Sequence, residues 1–298
     1  MKVVNISKKR FENLERYQLP DSVFNSEAQM YVLPIKNRWE IVNKLLKRLY
    51  VTSGPLFGNK LQTLNSLIDL QDDIDIPEIV FPQRLAVVNC EVVGYVMELV
   101  DSINIEVALR SENISSMDKI RYLRQVGEIL EKMRKVRKYT DIKDFYLNDI
   151  HENNFVIDRN TDSVRVVDID SCKINGNYTF GSRYLSPMSI IANNPKYKRE
   201  ENGICGGFIK PSEDSELYCY IIMILNTLYG GGFNRLSLEE FNKYLEYLYS
   251  ICVDLELINI FEEIVSNQHN QNPYELLDSL VPIVGRSNKN VYNYVRKK

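Results

Sequence analysis

Phe145–Asp170 reads FYLNDIHENNFVIDRNTDSVRVVDID and sets an Asp, an Asn and a second Asp around one short predicted hairpin. Asp149 and Asn154 lie five residues apart on a loop, and Asp168 ends an apolar strand just downstream. Oxygen-bearing side chains on a loop and at a strand end suit three tasks: placing a hydroxyl, binding Mg²⁺ and neutralising phosphate charge. Those are the tasks of phosphoryl transfer.

The flanks of this stretch indicate the fold. Upstream, Ser115 and Asp118 have capping-box spacing. Ile120, Leu123, Val126, Ile129, Leu130, Met133 and Val136 then draw an apolar stripe down a helix of about six turns. Downstream, Leu217–Tyr229 is apolar on nearly every face, which predicts a helix buried all round. Ser237 with Glu240, and Asn272–Pro273 with Glu275, mark two further helix starts.

Before about Val100 the pattern is β-like. MYVLPI, WEIVN, KLLKRLY, RLAVVN and EVVGYVMELV are runs rich in Val, Ile, Leu and Tyr, and VNCEVVG between the last two reads as a hairpin turn. Asn59–Leu70 interrupts them with Leu61, Leu64, Leu67 and Ile68 at helical spacing. The order predicts an α+β, bilobal fold. Residues 1–100 form a small, mainly antiparallel sheet carrying one helix, with residues 1–28 as a leading extension, and residues 101–298 form a larger helical lobe. A ligand is expected in the cleft between lobes, with Asp149, Asn154 and Asp168 on its floor.

Composition narrows the partners. A chain of 298 residues with net charge -3, both signs interspersed, gives no electrostatic case for nucleic acid or an anionic membrane. Five scattered cysteines without a C-x-x-C pair argue against a disulfide framework or a structural zinc and fit a reducing cytosol. The N-terminus lacks the apolar core of a signal peptide, and the longest apolar stretch, Leu217–Leu225, is too short to span a bilayer. A soluble, cytoplasmic protein is expected.

This order of parts resembles the protein-kinase-like superfamily, and the match extends to motifs. LNDIHENNFVI resembles the kinase catalytic loop, H-R-D-x-x-x-x-N followed by apolar residues, and VVDID resembles the strand ending in D-F-G. GSRYLSP, residues 181–187, looks like the end of a protein-kinase activation segment. SELYCYIIMILNTLYG resembles the central buried helix of the lower lobe, with Glu216 where an Asp normally opens it and Gly230 where a glycine ends it. GYVMELVD resembles the last upper strand and hinge.

The resemblance implies a divergent bacterial-type Ser/Thr protein kinase using ATP and Mg²⁺. By it, Asp149 orients the acceptor hydroxyl and takes its proton, while Asn154 and Asp168 bind metal. Asp170 replaces the glycine of D-F-G and adds a carboxylate that attracts a second metal or caps the next turn. Met97 is the gatekeeper beside the adenine, backbone groups of Glu98 and Val100 meet its edge, and Val156 joins the nucleotide-binding set. Gly181, Ser182, Tyr184 and Pro187 frame a shelf for a substrate peptide, and Glu216 organises the catalytic-loop backbone. His151 stands where Ser/Thr kinases carry a lysine, as in the D-x-H-x-x-N loops of aminoglycoside and choline kinases, and contacts the γ-phosphate when protonated. Two lysines compete for the phosphates. Lys47, on a predicted strand just before the only upper helix, is preferred to Lys36, whose VLPIK is closer in letters to V-A-I-K.

The chain also departs from the family pattern. No glycine precedes Gly54, so a Gly-rich phosphate loop has no counterpart ahead of Lys47. Asn59–Leu70 holds no glutamate to pair with that lysine, leaving Gln62, Asn65 or Asp69 as imperfect substitutes. Asn148 replaces the arginine that reads a phosphorylated activation loop, and Met188 replaces the glutamate that usually follows the shelf. Three readings stand: a protein kinase, favoured by GSRYLSP; a small-molecule kinase, favoured by His151; and a nucleotide-binding pseudokinase scaffold, favoured by the missing glutamate and glycines.

Overall fold

The computed structural model describes residues 2–19, 28–37, 40–177, 211–230, 233, 236–266, 271–284 and 294–295. Gly181, Ser182, Tyr184 and Pro187 of the expected shelf, and Met188 after it, lie outside the described residues. The fold is α+β. Its larger sheet comprises β1 (Val3–Asn5), β2 (Ala28–Asn37), β3 (Glu40–Leu49), β4 (Pro82–Val88) and β5 (Glu91–Glu98), in the order β1-β4-β5-β3-β2. Neighbours are antiparallel except β1 and β4, so the sheet is mixed, and the leading residues supply its edge strand. WEIVN and KLLKRLY, two runs in the sequence, fall largely into the single strand β3, because β2 pairs with it along its whole length. The β4–β5 hairpin turns at Asn89 and Cys90, whose φ values of 49° and 67° are the left-handed pair that a two-residue hairpin needs.

Alternation across the strands decides which side chains meet. Leu46 and Val96 pack on one face with Ile6, Leu14, Tyr31, Leu33 and Ala86. Tyr95 and Met97 pack on the other with Leu85 and with Leu64 and Ile68 of α2 (Gly54–Leu70). Lys47 is opposite Tyr95 in the β3–β5 register and so shares the α2 side. Helix α2 begins earlier than its apolar spacing indicated, because Pro55 presets the first turn.

Gly94 is required where β5 meets β3: a Cβ there would overlap the Lys47 carbonyl. Gly94→Ala is therefore expected to force the strands apart and cost about 1–3 kcal/mol, the usual range for overpacking. Urea denaturation measures it; an unchanged midpoint would argue against the close approach.

After β6 (Ser102–Asn104) the chain is mainly helical. Short α1 (Lys8–Glu12) lies before β2, and α3 (Ile105–Arg110) leads to α4 (Ser116–Tyr139). Ser115 caps α4 by accepting from the Asp118 N–H, and Ile120, Leu123, Val126, Ile129, Leu130 and Met133 are all buried, as the stripe predicts. Helix α5 (Glu213–Tyr229) is buried along nearly its whole length and ends at Gly230, whose φ of 84° closes the helix. The Tyr220 hydroxyl of α5 donates to the Leu123 carbonyl of α4 at 2.8 Å. α6 (Leu238–Ser250) opens with the Ser237–Glu240 capping box and precedes α7 (Leu255–Ser266). Pro273–Leu280, expected as an α-helix, is a 3₁₀ segment whose end closes through the Val281 N–H to the Asp278 carbonyl. No helix among the described residues is long and apolar enough to cross a membrane.

The opening hairpin forms β7 (Phe155–Asp158) and β8 (Ser163–Val166), which join β6 in a second sheet ordered β6-β7-β8. Val80 N–H donates to the Val166 carbonyl and Val166 N–H to the Glu78 carbonyl, at 2.9 and 2.8 Å. This strap ties β8 to the segment between α2 and β4. Val167 consequently packs against the apolar cluster on the α2 side of the larger sheet.

Candidate functional site

The loop before β7 is held from below by a buried ion pair. Arg137, on the apolar stripe of α4, donates to the Phe145 carbonyl at 2.8 Å and meets Glu216 of α5 at 3.0 Å. Glu216 in turn accepts the Leu147 N–H at 2.7 Å. The side chains are 6% and 1% exposed, so the pair works in a dry interior. Burial pushes the Glu216 carboxyl up to about 7, with Arg137 and the Leu147 N–H opposing it. Glu216 thus holds the loop backbone, as its place at the head of α5 implies.

Within the loop, Asp149 is fixed by two neighbours. Asn154 Nδ2 donates to the Asp149 carbonyl at 2.8 Å and to its Oδ2 at 3.0 Å. Both amide protons are used, and Oδ1 is the atom Asn154 can offer a cation. His151 Nδ1 accepts the Asn153 N–H at 3.1 Å, so the ring proton sits on Nε2, which points at Asp149 Oδ2 from 3.3 Å. His151 thus lies against Asp149 and helps to fix its carboxylate. Burial would raise the Asp149 carboxyl, but the His151 and Asn154 bonds outweigh it and hold the group below its ordinary value. Asp149 is an ionised acceptor at neutral pH.

Lys47 links the larger sheet to this hairpin. Its Nζ lies 2.7 and 2.8 Å from the two oxygens of Asp168 and 3.0 Å from Asp170 Oδ2. Lys36, by contrast, is exposed on β2. Asp170 Oδ2 also accepts the Tyr95 hydroxyl at 3.0 Å and sits 3.3 Å from Lys60 Nζ of α2. Lys47 thus pairs with Asp168 and Asp170, whereas Gln62, Asn65 and Asp69 of α2 are the substitutes the sequence offers, and α2 contributes Lys60 to the cluster. Burial lowers the Lys47 pKa, yet Asp168 and Asp170 raise it well above the ordinary value, so the ammonium stays charged.

The two carboxylates are pushed in opposite directions. Burial acts to raise both, but Lys47 and Lys60 hold Asp170 well below the usual range. Burial and then the Asp170 charge drive Asp168 up to about 6. The folded protein holds the Asp168 proton more tightly than the unfolded chain does. Its contribution to stability is therefore full below the ordinary carboxylate range and is lost as pH rises through about 6. Wild type should gain stability over Asp168→Asn as pH falls through that value, measured by urea denaturation; a difference that stays constant with pH would contradict the assignment.

No protein-family model and no curated protein matches this chain.

Met97 and Val100 join the apolar cluster that also contains Leu45 and Val167. Glu98 pairs through its side chain with Arg165 of β8 at 3.0 Å. Val156 is half-buried on β7, between Asn104 of β6 and Arg165 of β8. Among the described residues no three His, Cys, Asp or Glu side chains form a ready-made metal centre. Asp168, 22% exposed, and Asn154 Oδ1 nevertheless provide the hard oxygen donors that Mg²⁺ takes when phosphates and water complete its shell. They fit the ion.

Three participants escaped the sequence reading: Lys60, Tyr95 and Arg137. Each had a periodic signal. Lys60 lies four residues before buried Leu64, Tyr95 two before buried Met97, and Arg137 four after buried Met133. A polar residue in register with a buried face needs a buried partner, and that rule would have singled them out.

Proposed function

We propose that the chain is an ATP-dependent phosphotransferase of bilobal, protein-kinase-like architecture. The observation that carries this reading is the Lys47–Asp168 pair, which joins a strand of the larger sheet to the end of a hairpin whose opening loop holds Asp149 bonded to Asn154. Lys47 grips the phosphates, and Asp149 accepts the proton of the attacking hydroxyl. Asp168 and Asn154 would hold Mg²⁺, which would supply positive charge against the phosphates. Met97 and Val100, with Leu45 and Val167, form an apolar wall suited to a purine.

The acceptor is a Ser or Thr hydroxyl of a protein, a choice supported by GSRYLSP in the sequence. A second reading, nucleotide binding without turnover, is favoured by Lys60 standing on α2 where a carboxylate is expected. One experiment separates them. Mg·ATP should raise the melting temperature, as any ligand of the folded state does, and labelled γ-phosphate should pass to the protein itself or to a lysate protein. Binding without transfer supports the second reading; no binding defeats both.

A further inference from the structure

Four charged side chains from three separate parts of the chain converge at the end of the hairpin: Lys47 of β3, Lys60 of α2, Asp168 and Asp170. One carboxylate oxygen, Asp170 Oδ2, lies 3.0 Å from Lys47 Nζ and 3.3 Å from Lys60 Nζ. The ammonium groups are thus within two hydrogen-bond lengths of each other. With side-chain exposures of 3% for Lys47, 12% for Lys60 and 2% for Asp170, they are poorly screened by water. Bringing two like charges so close is costly unless something of opposite sign lies between them. Asp170 is that group, and the Tyr95 hydroxyl fixes its position at 3.0 Å.

We propose that Lys60 is a second phosphate-binding cation, held beside Lys47 by the shared counter-ion Asp170, so that two side-chain ammonium groups grip the polyphosphate of a nucleoside di- or triphosphate. This rests on the nucleotide reading above and adds to it a residue that a lysine–carboxylate pair alone does not require. Lys47 with Asp168 and Asp170 would carry one excess negative charge and repel a polyphosphate; among these described groups Lys60 offsets it. No glycine precedes Gly54, so the sequence ahead of Lys47 has no Gly-rich stretch of the kind that lets backbone amides approach phosphates. A second ammonium removes that repulsion and adds a donor for the phosphate oxygens. Asp170 lies between both lysines independently of Asp168, so it would keep them in place when phosphates become their partners.

Calorimetric titration with ATP, ADP, AMP and adenosine, each with and without Mg²⁺, tests this on wild type, Lys60→Met and Lys60→Arg. Loss of one charge-assisted contact should weaken ATP and ADP by about tenfold or more in Lys60→Met. AMP should weaken less and adenosine not at all, and Lys60→Arg should recover most of the loss. Lys60→Gln serves the same comparison should the methionine variant not fold. A nucleotide-free readout comes from urea denaturation of Lys60→Met, Asp170→Asn and the double variant. The double should be more stable than the two single losses predict, because the second change removes a partner already orphaned. ATP affinity in Lys60→Met equal to wild type, or strict additivity in the cycle, overturns the inference while leaving the nucleotide reading intact. A wild-type protein that binds no polyphosphate overturns both.

Discussion

Asp149→Asn is expected to lower turnover by roughly 10²- to 10⁴-fold, the range that a positioned general base contributes. Mg·ATP affinity and melting temperature should stay near wild type. The substitution is nearly isosteric, and an asparagine Oδ1 still accepts from Asn154 Nδ2 and His151 Nε2, which lie 3.0 and 3.3 Å from the present oxygen. The loop therefore keeps its shape and loses only the charge that receives the proton. Steady-state assay beside a binding titration separates the two effects. Equal losses in affinity and turnover would show that Asp149 builds the site rather than acting in it.

Glu216→Leu is expected to cost roughly 3–5 kcal/mol of folding stability, the range for orphaning one member of a buried ion pair. Arg137 would keep its bond to the Phe145 carbonyl but lose the carboxylate 3.0 Å away, and Leu147 N–H would lose its acceptor. Glu213 stands 3.7 Å from Arg137 and is too exposed to make up the loss. The double variant Arg137→Met/Glu216→Leu should recover much of the deficit, since an apolar pair in a dry site can match an ion pair. Urea denaturation gives both values. A single-variant loss below about 1 kcal/mol, the level of a surface pair, would mean the pair does not carry the loop.

What the sequence disclosed follows the range of the interactions. The Asp149–Asn154 bond spans five residues, so its spacing was readable from the letters alone. The α4 stripe and the Gly230 stop are equally local. The lysine network is not local: Lys47 meets Asp168 and Asp170 across 121 and 123 residues, and neither end announces the other. Alternation put Lys47 on the α2 face, yet α2 brings a second lysine there, and the counter-ion comes from the far side of the hairpin. The contacts of Asp170 with two ammonium groups and a hydroxyl were hidden from the sequence for the same reason. Pro273 marked a helix start correctly, but the choice between α and 3₁₀ depends on packing that no capping signal contains.

The most direct test is a crystal structure with a non-hydrolysable ATP analogue and Mg²⁺. The ion is expected on Asp168 and Asn154 Oδ1, with the β- and γ-phosphates on Lys47 and the adenine against Met97 and Val100. A nucleotide bound elsewhere, or phosphates in the site with Asp168 still paired to Lys47 and no metal on it, would contradict the account.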